Sequence, residues 1–345
     1  MKCLFTFSLL FLFILAHAQQ YGWVRVAQIG NQFTSLRAVE FVDSLNGWTA
    51  EGGSTIYKTT DGGTTWNGFP GDPMGVEDIS MLNKLYGWCV GEQASLGKIL
   101  RTTNGGLTWT VQFQKNNRNL LGTFGLSLDK NITTGSTRNF FPDTGKVFQT
   151  TNGGVTWTER TIADSIAALS QVQFVDSLHG WIIYNGYKIN GLLRTTDGGT
   201  TFTAHRFPVQ SPAFHFLDTL LGYMVTYSST YCYKTTNAGT SWTRLGRIYD
   251  PMWDDLSASA VSFVDSLNGW AFGHMFYQGS TQAAIYHTTD GGVSWNRELI
   301  GQARGVGGMM LDRRHGWAVG TEGSVFAYRL ITSAPEKLPT LPTQS

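Results

Sequence analysis

The sequence predicts an all-β protein, a seven-bladed β-propeller. An eight-residue motif, Thr-Thr-[Asp/Asn]-[Gly/Ala]-Gly-x-[Thr/Ser]-[Trp/Phe], occurs six times, and its aromatic ends lie 43, 48, 45, 40 and 53 residues apart. A Gly-Trp or Gly-Tyr pair precedes five of these motifs, and one more pair follows the last motif. Repeats of this length are typical of propeller blades. With a degenerate third repeat, the sequence contains seven blade cores and six motifs.

Each motif is predicted to form a hairpin turn between the third and fourth strands of a blade. Thr and Trp favour strands, and Asp-Gly-Gly or Asn-Gly-Gly favours a tight turn. We expect a structural role for the residue at the third position, which is Asp61, Asn104, Asn152, Asp197, Asn237 or Asp290. Calcium binding is the alternative, but a hard-cation site would lose a charged ligand in the three Asn copies. No metal is therefore predicted.

The N-terminal strand is predicted to close the ring. The seventh core, Gly308–Leu330, supplies only three strands and has no motif. The run Trp23-Val24-Arg25-Val26 resembles the strands that follow the motifs, so we expect it to be the outer strand of the seventh blade. Closure of this kind protects the ring from opening and leaves only short sheet edges. The predicted propeller is one domain, residues 19–331.

The two ends of the chain have separate signatures. Residues 1–18 are predicted to be a secretory signal, with Lys2, an apolar run and Ala16-His17-Ala18 before Gln19. Residues 332–345 are rich in Pro, Ser and Thr and are predicted to be a disordered tail. The protein is therefore expected to be exported to the periplasm, cell surface or medium, without membrane insertion after signal removal, and to be a monomer.

Composition limits the possible partners. The net charge is only +1 and charged residues make up 14% of the chain, so the electrostatic footprint of a nucleic-acid-binding protein is missing.

Cys89 and Cys232 fall in the second and fifth repeats, which lie apart around a ring. Because a disulfide needs Cα atoms within about 7 Å, both are predicted to be buried, unpaired thiols.

The repeated motif closely resembles the Asp-box, or BNR repeat, of sialidases, two-propeller xyloglucanases, the sortilin ectodomain and propellers like the photosystem II assembly factor. The run Phe-Val-Asp-Ser-Leu-Asn-Gly-Trp, followed by Ile-Tyr-Lys-Thr-Thr-Asp-Gly-Gly, is most similar to the last group. That resemblance implies a non-enzymatic scaffold that presents one loop face to a protein partner. Those relatives carry an arginine-rich patch, whereas basic residues here are scattered apart from Arg313-Arg314.

A candidate ligand site is predicted on the loops of the sixth blade. Three connections are predicted to be long: Arg247–Ala258, Gly273–Ala283 and Gly135–Lys146. Trp253 is the only one of twelve tryptophans without a structural position in the repeat. The candidate ligand-binding residues are Tyr249, Trp253, Asp254, Asp255, His274, Phe276, Tyr277, Arg37 and Arg304. Aromatic rings beside carboxylates suit a sugar, a peptide side chain or a cation. The alternative is that Trp253 packs under its own loop and that Arg37 and Arg304 are ordinary solvated charges.

No catalytic residues and no cofactor are predicted. A sialidase would need an arginine triad, a Tyr-Glu pair, an Asp that acts as a general acid, and six blades, whereas seven blades are predicted here. Xyloglucanase-like catalysis would need two carboxylates about 5–10 Å apart and two propellers, whereas one propeller is predicted here. The sequence therefore predicts an exported, non-catalytic scaffold that binds a protein or a glycan. A BNR-type glycoside hydrolase or lyase, and a module of a longer cell-surface protein, are the alternatives.

Overall fold

Seven four-stranded antiparallel sheets form a closed ring in the computed structural model. The structure describes residues 20–70, 74–137, 144–166, 168–185, 190–207, 213–226, 230–249, 256–277, 280–301, 303 and 307–331. The innermost strand of each blade contacts that of the next blade, and the innermost strand of the seventh blade contacts that of the first. The predicted seven-bladed β-propeller is therefore confirmed.

The strands of the first half of the chain follow one pattern, in which four consecutive strands make one blade. The chain begins with β1 (Tyr21–Gln28). Blades 1 to 3 consist of β2 (Leu36–Phe41), β3 (Gly47–Glu51), β4 (Thr55–Thr59) and β5 (Asn67–Pro70); β6 (Gly75–Met81), β7 (Gly87–Gln93), β8 (Leu96–Thr102) and β9 (Thr110–Asn116); and β10 (Arg118–Gly125), β11 (Asn131–Thr137), β12 (Thr144–Thr150) and β13 (Thr158–Ile166).

The remaining blades continue this pattern. Blades 4 to 6 consist of β14 (Ala168–Phe174), β15 (Gly180–Asn185), β16 (Asn190–Thr195) and β17 (Thr203–Phe207); β18 (Ala213–Phe216), β19 (Gly222–Val225), β20 (Tyr231–Thr235) and β21 (Thr243–Arg247); and β22 (Ser257–Phe263), β23 (Gly269–Tyr277), β24 (Ser280–Thr288) and β25 (Asn296–Gly301). Blade 7 contains β26 (Gly307–Met310), β27 (Gly316–Val319) and β28 (Ser324–Leu330). None of the described residues belongs to a helix long and apolar enough to cross a membrane.

The fourth strand of blade 7 is β1, as predicted. It pairs antiparallel with β28, with Trp23 opposite Tyr328, and the sheet order is β1-β28-β27-β26. The connection from β1 to β2 is also held to blade 7, because the amide of Ile29 donates to the carbonyl of Gly323 at 2.8 Å. The two ends of the described chain are thus joined within one sheet.

The six motifs form the turns between the third and fourth strands. In the first, the Thr59 hydroxyl accepts a hydrogen bond from the Gly63 amide at 3.0 Å, and Asp61 Oδ1 accepts one from the Thr65 amide at 2.9 Å. Gly62 and Gly63 have φ of 72° and 90°, a backbone conformation that glycine adopts without steric cost. These contacts fix the turn through its own side chains.

Each motif turn also binds the turn between the first two strands of the same blade. The fourth motif residue donates its amide to a carbonyl of that neighbouring turn at 2.7–2.9 Å in all six copies: Gly62 to Leu45, Gly105 to Leu85, Gly153 to Asp129, Gly198 to Leu178, Ala238 to Leu220 and Gly291 to Leu267. Because alternate connections of an antiparallel blade lie at the same end, all these turns share one face, which we call the motif face. The opposite face, which carries the connections between the second and third strands and those from one blade to the next, is the loop face.

The Gly-Trp pairs connect one blade to the next at the motif face. The indole Nε1 of Trp48 donates to the motif carbonyl of Gly105 in blade 2 at 2.9 Å. Trp181 donates to Ala238 in blade 5 at 3.0 Å, and Trp317 donates to Gly62 in blade 1 at 2.9 Å. These indoles are almost completely buried, so the hydrogen bonds satisfy polar groups that would otherwise be orphaned.

The core is divided into clusters between neighbouring blades. Aromatic rings stack across three of these seams: Phe41 on Trp317 with centroids 3.5 Å apart, Trp181 on Phe216 at 3.6 Å and Tyr223 on Phe263 at 3.6 Å. Cys89 and Cys232 are buried and unpaired, as predicted. Each blade therefore buries its apolar faces against two neighbours.

Candidate functional site in the central channel

The seven innermost strands surround a channel with a cavity of about 420 Å³. Every blade contributes lining residues, and the volume lies within the range typical of ligand pockets. The wall carries carboxylates from blades 1 and 2 and the polar side chains of blades 4 to 6.

Side chains on the innermost strands bind the backbone of the next blade. The position before the last residue of each innermost strand repeats this contact at five of the seven seams. In each case a backbone amide of the next blade donates to the side chain at 2.8–3.2 Å: Gly125 to the Ser80 hydroxyl, Phe216 to Gln173 Oε1, Phe263 to His215 Nδ1, Met310 to the Ser262 hydroxyl and Phe41 to the Met309 sulfur. The channel wall is therefore held by a ring of side-chain contacts.

Glu40 occupies this position in blade 1 but makes no hydrogen bond within the described part of the chain. The side chain is half-buried, because the open channel leaves part of its surface accessible. Desolvation, with a smaller contribution from the Asp78 carboxylate, raises the pKa of Glu40 to about 8. The carboxyl group thus faces the cavity without a partner from the ring.

Asp78 lies beside Glu40 on the neighbouring strand and is bound by the backbone. Its Oδ2 accepts a hydrogen bond from the Thr123 amide at 2.8 Å, and its Oδ1 accepts one from the Ile79 amide at 2.9 Å. Burial raises the pKa of Asp78 to about 7, although both hydrogen bonds act in the opposite direction. Two carboxyl groups with raised pKa values therefore share one wall of the channel.

A third carboxylate lies towards the loop face. Burial raises the pKa of Glu77, and the ion pair with the Arg37 guanidinium opposes this effect. Arg37 is itself exposed. On the far wall, burial lowers the pKa of His215 to about 4, so its imidazole is neutral and its Nδ1 accepts from Phe263. The far wall is polar but uncharged.

The sequence-predicted site residues are only partly described. Trp253, Asp254, Asp255 and Arg304 lie outside the described residues, as do the side chains of Phe276 and Tyr277. Tyr249 is 47% exposed, and its ring lies 5.3 Å from the Arg247 guanidinium carbon. His274 pairs with Ser257 at the loop-face end of blade 6, and burial lowers its pKa. Arg37 lies on blade 1, as an ion-pair partner of Glu77.

The prediction of a long loop at Gly273–Ala283 was wrong. Strands β23 and β24 continue through this segment, with His274 opposite Ala283 and Tyr277 opposite Ser280. The strands are long because Met275, Ala283 and Ala284 are buried against neighbouring residues, and this burial favours an extended hairpin over a loop. The predicted loop Gly135–Lys146 is also shorter, since β11 and β12 pair between Ser136 and Gly145.

The channel carboxylates were not among the sequence-predicted site residues. The signal for Glu40 is its position before the final buried residue of the innermost strand, which the other repeats fill with Ser80, Phe124, Gln173, His215, Ser262 and Met309. Glu77 and Asp78 lie outside this repeated position. Within the described residues, no group of three or more His, Cys, Asp or Glu side chains is arranged to hold a metal ion.

The solved structures with this fold include binding proteins and enzymes. YCF48 from Cyanidioschyzon merolae matches with a TM-score of 0.66 and 18% identity, over 89% of this chain and 99% of that chain. A YCF48 bound to D1 peptide matches with a TM-score of 0.68 and 16% identity, over 90% and 97%. The GH74 enzyme of Niastella koreensis matches with a TM-score of 0.64 and 17% identity, over 92% of this chain but 55% of the enzyme.

No protein-family model matches the sequence, and no curated protein matches it. At identities below 25%, these likenesses show the fold alone. The fold and the channel define the class, a seven-bladed β-propeller with an acidic central channel. Its structural neighbours include members of two groups that the sequence resemblance named, the photosystem II assembly factor YCF48 and the GH74 enzymes.

Proposed function

We propose that the protein is an exported, non-catalytic scaffold that binds a segment of a partner protein at its central channel. The observation that carries this proposal is the Glu40 carboxyl, which faces a cavity of about 420 Å³ and is not used by the hydrogen bonds of the ring. The side chain is half-buried, and the accessible part of its carboxyl group can accept hydrogen bonds from a ligand in the channel.

Two further observations support a protein partner. The structural neighbour YCF48 is described as bound to D1 peptide, so this fold can hold a peptide. Tyr249 is exposed, and it lies at the start of a connection that also contains Trp253. Exposed aromatic side chains are frequent among residues that dominate binding energy. The sixth-blade residues are thus a second contact region for the same partner.

Export is proposed from the signal-like residues 1–18. The test is the N-terminal sequence of the protein recovered from the medium or periplasm of a bacterial host. A mature chain beginning at Gln19 is the expected result. An intact Met1 on protein retained in the cytoplasm would overturn this part of the proposal.

Binding can be tested with a displayed library of random peptides. We expect peptides enriched on the wild-type protein to lose at least ten-fold in affinity to a Glu40→Gln variant. A Tyr249→Ala, Trp253→Ala variant measures the contribution of the sixth-blade connection. Enrichment that neither variant changes would overturn both contact regions, and no enrichment at all would overturn the peptide-binding proposal.

A glycoside hydrolase or lyase is the second candidate function, because two channel carboxyl groups have raised pKa values, a frequent property of catalytic acids. Both oxygens of Asp78 accept backbone amides, however, which fixes this group as part of the wall. We therefore expect no turnover on a panel of plant and bacterial polysaccharides. Hydrolysis that disappears in Glu40→Gln would replace the binding proposal with a catalytic one.

A further inference from the structure

We infer that the channel binds an organic cation, the ammonium group of a lysine side chain presented by the partner. The identity of the partner as a protein rests on the function proposed above. The cation site rests on the channel alone and can be tested with small molecules.

The first observation is the charge of the channel. Glu40, Glu77 and Asp78 line it, and none of the described lining residues is Lys or Arg. Among the described residues, Arg37 forms an ion pair with Glu77 at the rim, and its guanidinium is exposed. Glu40 and Asp78 therefore have no compensating positive charge among the described residues around them.

The second observation is the free carboxyl of Glu40. At the equivalent position, five other blades use their side chain to accept an amide of the next blade. Glu40 alone among the hydrogen-bonding side chains at this position makes no such bond within the described chain. Because the Glu40 carboxyl lines the cavity and accepts no hydrogen bond from the described chain, it is available to a ligand that brings donors. An ammonium group brings three.

The third observation is the apolar part of the same wall. Ile79, Phe124, Val172 and Met309 line the cavity beside the carboxylates. An aliphatic stem with a charged end matches this combination, because long basic side chains bury their methylene groups on apolar surface. The Phe124 ring can also attract a cation electrostatically. A bare metal ion would leave this apolar surface unused.

Binding should release protons near neutral pH. A nearby cation favours the ionised form of a carboxyl group, and the pKa of Glu40 is about 8 and that of Asp78 about 7 in the free protein. The other charged or titratable groups on β2, on β6 and on the strands packed against them are Arg37, Glu51, Glu77, Cys89, Glu92 and Arg118. Affinity for the cation is therefore expected to rise between pH 6 and pH 8.5.

The experiment is titration calorimetry of the purified protein with two matched probes, N-acetyl-lysinamide and its uncharged analogue N-acetyl-norleucinamide. We expect the lysine probe to bind at least ten-fold more tightly than the analogue at pH 8.5, and about ten-fold more weakly at pH 6. Heats measured in buffers of different ionisation enthalpy should show net proton release. Equal binding of the two probes would overturn the inference.

Two variants locate the site. Glu40→Gln should weaken the lysine probe at least ten-fold and abolish most of the pH dependence, and it should fold because Gln173 occupies the same position in blade 4. The matched control is Glu159→Gln, whose carboxylate pairs with Lys115 and Arg118 outside the channel. An unchanged affinity in Glu40→Gln would overturn the inference, as would a loss in Glu159→Gln as large as that in Glu40→Gln.

The two proposals can fail separately. Tight binding of selected peptides without any binding of the lysine probe would leave the scaffold proposal intact and overturn the cation site. Binding of the lysine probe that depends on Glu40, without any peptide selection, would keep the cation site and overturn the protein-binding proposal.

Discussion

The seam between blades 4 and 5 and the seam between blades 6 and 7 are held by different chemistry. At the first, the indole of Trp181 donates to the motif carbonyl of Ala238 in the next blade. At the second, the next blade has no motif, and the equivalent Trp270 donates to the carboxylate Oε2 of Glu298 at 3.0 Å. A charged acceptor from the same blade has replaced a neutral one from the neighbour.

The replacement does more than satisfy one indole. Glu298 Oε2 also accepts from the indole of Trp23 on the closing strand β1 at 3.1 Å, and Oε1 is 2.9 Å from His287 Nδ1. The ring of His287 stacks on Trp270 with centroids 4.0 Å apart. One carboxylate therefore joins blade 6 to the N-terminal strand at the seam where the repeat is incomplete.

The largest effect is expected from Glu298→Ala. It removes the acceptor of two indoles and one imidazole, and a buried donor left unsatisfied costs about 1–3 kcal/mol. We expect the free energy of unfolding to fall by about 3 kcal/mol, measured from urea denaturation. Glu298→Gln keeps one acceptor oxygen and should lose less. A loss below about 1 kcal/mol in Glu298→Ala would show that the carboxylate does not hold this seam.

At the seam between blades 1 and 2 a carboxylate is expected to lower the stability of the protein rather than raise it, because Glu40 lacks the contact that Gln173 makes between blades 4 and 5. The pKa of Glu40 rises from 4.5 to about 8 on folding, so the native state binds more protons, and this group lowers stability as pH rises from about 4.5 to 8. Gln removes the charge and supplies a donor and an acceptor.

We therefore expect Glu40→Gln to stabilise the protein by about 2 kcal/mol at pH 8.5 and by much less at pH 4. The melting temperature of variant and wild type, measured across that pH range, should diverge upwards with pH. Parallel curves would contradict the raised pKa, and a variant that is less stable at pH 8.5 would show that the carboxylate is needed by the wall.

A pair of tryptophan variants measures the two kinds of seam directly. Phe keeps most of the ring and removes the indole donor. Trp48→Phe should lose about 1 kcal/mol, because its partner, the Gly105 carbonyl, is neutral. Trp270→Phe should lose about 2 kcal/mol, because hydrogen bonds to charged groups are stronger. Equal losses from urea denaturation would mean that the carboxylate gives the closing seam no extra strength.

The fold could be predicted because repetition makes one weak signal strong. A single Thr-Thr-Asp-Gly-Gly turn is compatible with many folds, but six at blade spacing leave few, and the resemblance of Trp23–Val26 to the strands after the motifs predicted how the ring closes. Glu298 was not predicted, because its role depends on three partners from three different strands, and nothing local marks it.

The candidate site was harder to predict for a related reason. The length of the predicted connections pointed to a site at Trp253 and at the segment Gly273–Ala283. That segment is a continuous hairpin in the structure. Glu40 and Asp78 lie on short innermost strands. A polar residue there fits the usual alternation of buried and exposed side chains along a strand, so it does not indicate a site. Only the ring places them beside one another, because it brings residues some 38 positions apart in sequence to neighbouring strands.

The smallest effect is expected from exchanging the two kinds of motif. The Thr201 hydroxyl and amide donate to Asp197 and lower its pKa to about 2. In the Asn motifs the hydroxyl reverses its role, since Asn104 Nδ2 donates to the Thr108 hydroxyl at 2.8 Å. Because a hydroxyl can donate or accept, both residues hold the same turn.

A triple variant with Asp61→Asn, Asp197→Asn and Asp290→Asn should therefore fold with an almost unchanged melting temperature at pH 7. The pKa values of Asp61 and Asp290 are also lowered, because hydrogen bonds outweigh an opposing effect of burial. A carboxyl group with a lowered pKa gives stability above its unfolded value of 3.8 that is lost as pH falls towards about 2. Between pH 5 and pH 2 the melting temperature of the wild type should thus fall more steeply than that of the variant. A variant that is strongly destabilised at pH 7 would show instead that the negative charge itself is needed. That result would favour the alternative hypothesis of a cation bound at the motif turns.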